Sequence, residues 1–473
     1  MSSPVAEVKH EDTDTPNTMS KTASVDIMED GRIETKEGEE DVTRSTTTDD
    51  LSPAADILAR KYRLKARLNF LACCWSLFLA GWNDGTTGPL LPRIQAVYNL
   101  SYVLVSMIFI FNCIGFIGGA TANVWLTDRF GLGKVLVVGA MAQVIGYCIM
   151  APAPPFPALV LGYTINGFGL AVQDAGANGY VACLKDGAAT KMGIIHAVYG
   201  LGALCSPLVS TQFSQMPRWS FHYLTSLGVA LSNVVLLAIA FRFKTQDECL
   251  VEIGQELEVH PDESTDSSKY KQMFKLKELH LLAFFILIYV GVEVTVGGWI
   301  VTYVINVRHG GPSSGYISSG FFGGLTLGRV ALLWVNKLVG ERLVIFLYTL
   351  IAIGLELVVW LVPSLVGDAI AVSFVGMMLG PIYPIVMNHS GRILPPWLLT
   401  GCIGWIAGLG QAGSAFIPFL TGALASREGI ESLQPLLVAT MGFMLVLWFL
   451  VPNSPRKLVL KPAAEEAEKT GAE

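Results

Sequence analysis

The stretch LLAFFILIYVGVEVTVGGWI, residues 281–300, carries a single formal charge, the carboxyl of Glu293. About twenty apolar residues carry a helix across a bilayer, and only helices or closed barrels satisfy every backbone polar group there. The run is therefore a spanning helix with an acid held inside it. Working outward, comparable windows begin near Leu68, Tyr102, Lys134, Ala158, Met192 and Phe221, and beyond a hydrophilic loop near Leu281, Ser313, Arg342, Gly367, Leu399 and Leu433. The fold class follows: an all-α polytopic membrane protein with twelve transmembrane helices in two six-helix bundles.

Composition points the same way, because the chain is 52% apolar and 15% charged, where soluble domains carry about 25% charged residues. The charges crowd into residues 1–67, the stretch Arg242–His280 and the segment after Pro452. Five regions are expected: a cytoplasmic tail 1–55, an N-terminal bundle 56–243, a central loop 244–279, a C-terminal bundle 280–452 and a C-terminal tail 453–473. The first tail is poor in aromatics and rich in Ser, Thr, Asp and Glu, a composition that stays disordered. No apolar core follows a basic start there, so the first span is expected to act as an uncleaved signal. The net charge of −6 comes largely from the two tails, and no basic, aromatic-interleaved surface points to nucleic acid.

Lys and Arg favour the cytoplasmic side of a membrane. With a cytoplasmic N-terminus, the outer loops hold only Arg93, Arg218, Arg308 and Arg427, so both termini are expected inside. The home membrane is expected to be the plasma membrane, with the vacuolar membrane as the alternative. Asn99-Leu100-Ser101 then lies in the first outer loop as a glycosylation acceptor, whereas Asn388-His389-Ser390 lies at an inner helix end. Two flanking pieces, Ile57–Arg67 and Tyr270–Lys277, mix apolar and basic residues; each is either an interfacial segment on anionic headgroups or a solvated linker.

An offset of about 208 residues superposes the halves. Gly200-Leu201-Gly202 meets Gly408-Leu409-Gly410, Asp128-Arg129 with Gly131 meets Asn336-Lys337 with Gly340, and Asp84 meets Glu293. Parallel repeats about an axis along the membrane normal characterise one large class of transporters, whose substrate site lies at the midplane between the halves.

The segment Leu126-Thr127-Asp128-Arg129-Phe130-Gly131-Leu132-Gly133-Lys134 resembles the major facilitator signature between the second and third helices. The resemblance implies a conformational loop, ending at Lys134, in which Gly131 and Gly133 allow a sharp reversal, while Asp128 and Arg129 pair across helix ends and stabilise one access state. Gly81–Pro92, His196–Gly202 and Gly291–Trp299 resemble a fungal branch of the superfamily similar to the fucose permeases. That resemblance covers roughly Leu68–Pro452. It implies proton-linked movement of a small organic solute, and the fungal branch also includes likenesses to exporters of secondary metabolites.

Acids deep in a span cost about 2.5–3.5 kcal/mol each on insertion scales, so each marks a functional hypothesis. Asp84, Asp174 and Glu293 are the deep ones. They are the expected proton-coupling residues, the alternative being acids that lock packing. The fucose permease-like family carries acids in its first and fourth helices, matching Asp84 and Asp174. Helical spacing sets Asn166, Gln173 and Asn178 beside Asp174, and puts Tyr199 on one face with His196. With Asn83, Trp299 and Gln411 these form the candidate substrate-binding set. For His196 a bond to a helix carbonyl is the competing account, and for any Trp an interfacial belt. Glu356 and Asp368 are expected nearer helix ends or the outer surface. The eight cysteines sit mostly in apolar runs without metal-site spacing and are expected to be small packing residues.

The function classes narrow accordingly. The chain has no HExxH, GxSxG or GxxxxGK[ST] segment, so no enzyme, metal, cofactor or nucleotide-driven pump is expected. The expected function is secondary active transport by a monomer in the bilayer, with a small-molecule substrate and protons as partners. Uptake of a sugar-like nutrient competes with efflux of a metabolite, and a nutrient sensor that keeps the transporter fold is the remaining class.

Overall fold

A computed structural model describes residues 53–255, 271–395 and 398–453; of the tail expected over residues 1–55, residues 1–52 lie outside them and helix begins at Pro53, while the residues after 453 lie outside them as well. Before the central loop run α1 (Pro53–Tyr98), α2 (Tyr102–Phe130), α3 (Leu132–Met150), α4 (Phe156–Ala182), α5 (Ala188–Ser214) and α6 (His222–Phe241). After it run α7 (Lys277–Val307), α8 (Tyr316–Ala331), α9 (Glu341–Leu361), α10 (Leu365–Leu379), α11 (Leu399–Glu428) and α12 (Leu433–Leu450). A short helix Leu333–Val339 continues α8 after a 54° bend, and Ile382–Ile393 continues α10.

Among the described residues ten helices are long and apolar enough to cross a membrane, eleven if the bent pair counts as one. α1 is not among the ten. Its 46 residues span about 69 Å, but Asn69, Asn83, Asp84, Thr86 and Thr87 interrupt its apolar run. The same helix absorbs the basic piece before the first span. Ile57 and Leu64 are exposed on it, while Lys65 turns inward to pair with Glu252 at 3.1 Å.

Local chemistry sets the ends. Ser101 caps α2 by accepting the amide of Leu104. Gly131 closes α2 at φ 85°, donating to the Thr127 carbonyl at 2.9 Å, and Gly340 opens α9 at φ 90°, donating to Asn336 at 3.1 Å. Both dihedrals lie where a Cβ is strained, so the tight turn after α2 is repeated after α8. Exposed Trp125 and Trp334 precede the two glycines by one and a half turns or so.

The helix pairing shows the repeat directly. α5 packs on α1, α4 on α2 and α6 on α3; correspondingly α11 packs on α7, α10 on α8 and α12 on α9. The α1–α5 contact is backbone-close in both directions: a Cβ on Gly81 would run into the Tyr199 carbonyl, and one on Gly202 into that of Phe78. In the second half Gly413 meets Leu287 in the same way. In α2, Gly115 and Gly119 meet Thr164 and Phe168 of α4. Gly118, beside Gly119 in the chain, faces open space.

The halves meet along α2–α11, α5–α8 and α1–α7. Hydrogen bonds between them gather toward the end bearing Asn99: Val103 N to Ser426 Oγ at 3.0 Å, Gln215 Nε2 to the Pro312 carbonyl at 3.0 Å, and Gln212 to Tyr316. Trp299, fully buried, lies there 6.0 Å from Tyr102 and 6.3 Å from Phe109 across the interface.

At the opposite end, which bears Gly131, the segment after α6 clasps the first half. Glu252 bridges Lys65 and Lys244, the latter at 2.5 Å. The Gly133 amide donates to the Lys244 carbonyl at 2.8 Å, and Gln255 Nε2 to the Cys183 carbonyl at 2.7 Å. The first part of the expected linker is therefore ordered on α1, α3 and the turn after α4. Residues 256–270 of that loop lie outside the described residues, and its last residues, from Lys277, form the start of α7.

Candidate functional site

A cavity of about 200 Å³ lies between the halves, where α1, α2, α4, α5, α7 and α11 converge. Asp84, Asp174 and Glu293 all line it, from α1, α4 and α7. All three are partly buried, each with some surface open to this space.

Each acid has a different partner. Asp84 Oδ2 accepts from the Tyr199 hydroxyl at 2.6 Å, and its Oδ1 from Asn83 Nδ2 at 3.4 Å. Asp174 Oδ1 accepts from Asn178 Nδ2 at 3.0 Å, one helical turn along. Glu293 Oε1 stands 4.0 Å from the Arg329 guanidinium of α8, a loose ion pair. Two acids are thus held by neutral donors and one by a cation, so protonating Glu293 would release Arg329 while protonating Asp84 or Asp174 would leave no cation stranded.

The candidate binding residues separate into groups. Asn83, Tyr199 and Gln411 line the cavity. Asn178 reaches it through Asp174. Asn166 is fully buried and donates to Asn83 Oδ1 from behind. Gln173 does not line the cavity: it accepts from Asn233 at 3.1 Å, which in turn accepts from Ser76 at 3.1 Å, a buried chain tying α4, α6 and α1. Trp299 does not line it either, since its indole donates to the Pro418 carbonyl at 3.0 Å in the closed end described above. Trp405 is covered edge-on by Phe274 at 4.9 Å. His196 is exposed, one turn from Tyr199.

In the conformational loop Asp128, Arg129 and Lys134 are exposed, and among the described residues neither Asp128 nor Arg129 has an ion-pair partner, contrary to the expected pairing across helix ends. The glycines carry that loop's geometry and the charges face solvent. Asn99 is exposed in the α1–α2 turn at φ 51°, while the Ser101 hydroxyl is engaged as the α2 cap.

Several site residues escape sequence reasoning. Arg329 stands 4.0 Å from Glu293 beside the cavity rather than lining it, and its signal was a lone guanidinium inside the apolar run 316–334. Asn112, Ser414 and the rings of Phe109, Phe116 and Phe322 complete the walls, and nothing in their spacing singled them out. His222 lies buried behind the site, 3.0 Å from Thr86, whose hydroxyl is 2.7 Å from Ser206. This network joins α1, α5 and α6.

Two similar helical halves that enclose an acid-bearing cavity are the architecture of transporters built from structural repeats. The Major Facilitator Superfamily model matches residues 73–396, and the chain belongs to that family. It is similar to the Saccharomyces cerevisiae Bypass of stop codon protein 6, 28% identical over 413 residues, covering 82% of this chain and 83% of that protein. It is 21% identical over 358 residues to the glucose/mannose transporter GlcP of Bacillus subtilis, covering 75% and 87%. Its fold matches the crystal structure of the E. coli fucose:proton symporter with a TM-score of 0.55 at 15% identity, covering 83% of this chain and all of that one. The chain is therefore a non-enzymatic, multi-pass membrane transporter with a small-molecule substrate.

Proposed function

We propose that this transporter moves a small, uncharged, polar organic solute by alternating access, coupled to protons carried by Asp84, Asp174 and Glu293. The observation that carries the reading is the convergence of these three acids in one cavity between the halves. Hydrogen-bonding groups on Asn83, Asn112, Tyr199, Gln411 and Ser414, set among phenyl faces, suit hydroxyls on a compact ring. The cavity lies below the usual range of about 300–1,000 Å³ for drug-sized ligands. GlcP is a glucose/mannose transporter and the E. coli structure is of a fucose:proton symporter, which supports a sugar-like substrate.

In the same reading the Gly131 end is cytoplasmic, both termini lie inside, and the protein works as a monomer in the plasma membrane. The contacts gathered at the Asn99 end then describe an inward-facing state. Rocking of residues 56–243 against residues 280–452 exposes the cavity to the other side. In each cycle a proton neutralises an acid, the solute binds, and the latch at the Asn99 end parts or forms.

Export of a planar metabolite is the second reading, favoured by the three phenyl faces of Phe109, Phe116 and Phe322. Flux in proteoliposomes under an imposed pH gradient tests both. Sugar accumulation driven by an inward proton gradient supports the first reading. Full gradient-driven accumulation by both Asp84→Asn and Glu293→Gln, with wild-type levels of folded protein, would remove the proton role.

A further inference from the structure

Glu356 lies in α9, away from the central cavity, and is 0% exposed. Neither of its carboxylate oxygens has a hydrogen-bond partner among the described residues. Sequence position puts it near a helix end or the outer surface; it lies five residues before the end of α9 at Leu361, but its complete burial there needs a physical account.

The nearby cation is already committed. Arg308, at the C-terminal cap of α7, donates Nε to Asp368 Oδ2 at 3.0 Å. Its Nη2 serves the carbonyls of Val359, Trp360 and Val362 at 2.5, 3.2 and 3.4 Å, which the last turn of α9 would leave unpaired. The guanidinium also lies 5.6 Å from the centre of the Tyr303 ring. Arg308 thus staples the ends of α7, α9 and α10 together.

The groups contributed by the surrounding elements are few. α10 supplies Asp368, itself 0% exposed and matched by Arg308. α7 supplies Tyr303 and Arg308. The turn before α12 supplies Glu431, and α12 supplies Gln434, fully buried with both amide atoms unpartnered. One cation therefore stands against two buried acids, and it is bound to Asp368. An ionised carboxylate in such a place is strongly disfavoured, because desolvation is not offset by any donor. A metal ion would neutralise it too, but a metal needs several oxygens converging on it, and among the described residues no group of three His, Cys, Asp or Glu does so.

We infer that Glu356 is a second proton-binding site, separate from the central cavity, where the side chain holds its proton as a neutral carboxylic acid behind the Arg308 staple. Proton exchange there follows opening of the staple rather than wetting of the cavity. The inference stands whether or not the cavity acids couple transport.

The test is infrared spectroscopy of the full-length protein in nanodiscs, in water and in deuterium oxide, across neutral to alkaline pH. Wild type should show the carbonyl stretch of a protonated carboxyl that persists as the bulk pH rises. Glu356→Gln, a neutral isostere, should lose that band while keeping the wild-type melting temperature and solute flux. Should Glu356→Gln fail to fold, wild type grown on isotope-labelled glutamate carries the test, because the persistent band must shift with the label. The inference is overturned if no such band exists, if the band survives Glu356→Gln or ignores the glutamate label, or if it appears only after sodium and potassium are removed.

Discussion

The hydroxyl of Tyr199 donates to Asp84 Oδ2 at 2.6 Å, at the level where Gly81 lets the α5 backbone touch α1. The acid is therefore positioned by the closest helix contact in the first half. A glycine that admits one backbone carbonyl also sets the reach of the phenol on the same residue.

Tyr199→Phe removes this bond and leaves the ring. Hydrogen bonds to charged groups contribute about 1.5–3 kcal/mol, so gradient-driven accumulation should fall by on the order of tenfold or more. Asp84→Asn should abolish accumulation yet retain solute counterflow, which needs no net proton movement. Both are read from proteoliposome flux with and without a pH gradient.

Glu293, which lines the cavity, stands 4.0 Å from Arg329 of α8 in a loose ion pair. Arg329→Gln should leave the Glu293 carboxylate without its cation and lower the transport rate. Combining it with Glu293→Gln should cost less than the sum of the single changes, since a shared partner makes substitutions non-additive. A double-mutant cycle on transport rate checks this, and strict additivity would show that the two side chains act independently.

The glycines of α1 and α2 divide by what surrounds them. Gly81→Ala drives a methyl into the Tyr199 carbonyl and should cost about 1–3 kcal/mol, the usual range for overpacking. Gly118→Ala meets nothing within 4 Å and should be neutral or mildly stabilising. Thermal melts of the two variants in detergent distinguish them.

Val103 N and Ser426 Oγ, 3.0 Å apart, bracket the joint between the halves. Cysteines introduced at positions 103 and 426 should form a disulfide that stops transport, with recovery on reduction. Undiminished flux in the oxidised protein would mean that this end does not part during the cycle.

The Glu252 clamp predicts a pH dependence of a separate kind. Partial burial pushes the Glu252 carboxyl up, but bonds to Lys244 and Lys65 outweigh it and hold the group below its ordinary value. A carboxyl lowered in the folded state stabilises fully above its unfolded value and loses that contribution as pH falls through the folded one. The clasp should hold at neutral pH and loosen below the ordinary glutamate range. Protease cleavage after Phe241 should rise there in wild type, whereas Glu252→Gln should be cleaved at that higher level already at neutral pH.

Much of this was legible in the chain. Length and apolarity gave the spans, and the residues 281–300 that gave the clearest one also contain Glu293. Depth of charge picked out Asp84, Asp174 and Glu293, because hydrocarbon makes acids costly wherever they lack a reason. The polar set was less legible, since spacing on one helix says which side chains share a face but not which neighbour that face meets. Gln173 shares an arc with Asp174, yet it turns to Asn233 because α6 packs there. Trp299 follows Glu293 by six residues, which takes it past the cavity to the closed end. Arg329 and Glu356 were hard to place for the same reason: a guanidinium's target and an acid's isolation depend on helices far away in sequence.

In the proposed alternating-access cycle, the buried contact of Trp299 with Tyr102 makes the two faces of the membrane thermodynamically unequal. A solute arriving from the latched face meets only the fraction of molecules already parted, and its apparent affinity weakens by that fraction. Trimming Tyr102, which does not line the cavity, should therefore tighten half-saturation measured from one face and slacken it from the other. The lining of the pocket would be nearly untouched, so the direction in which this carrier works best is written partly in side chains that need never meet its cargo.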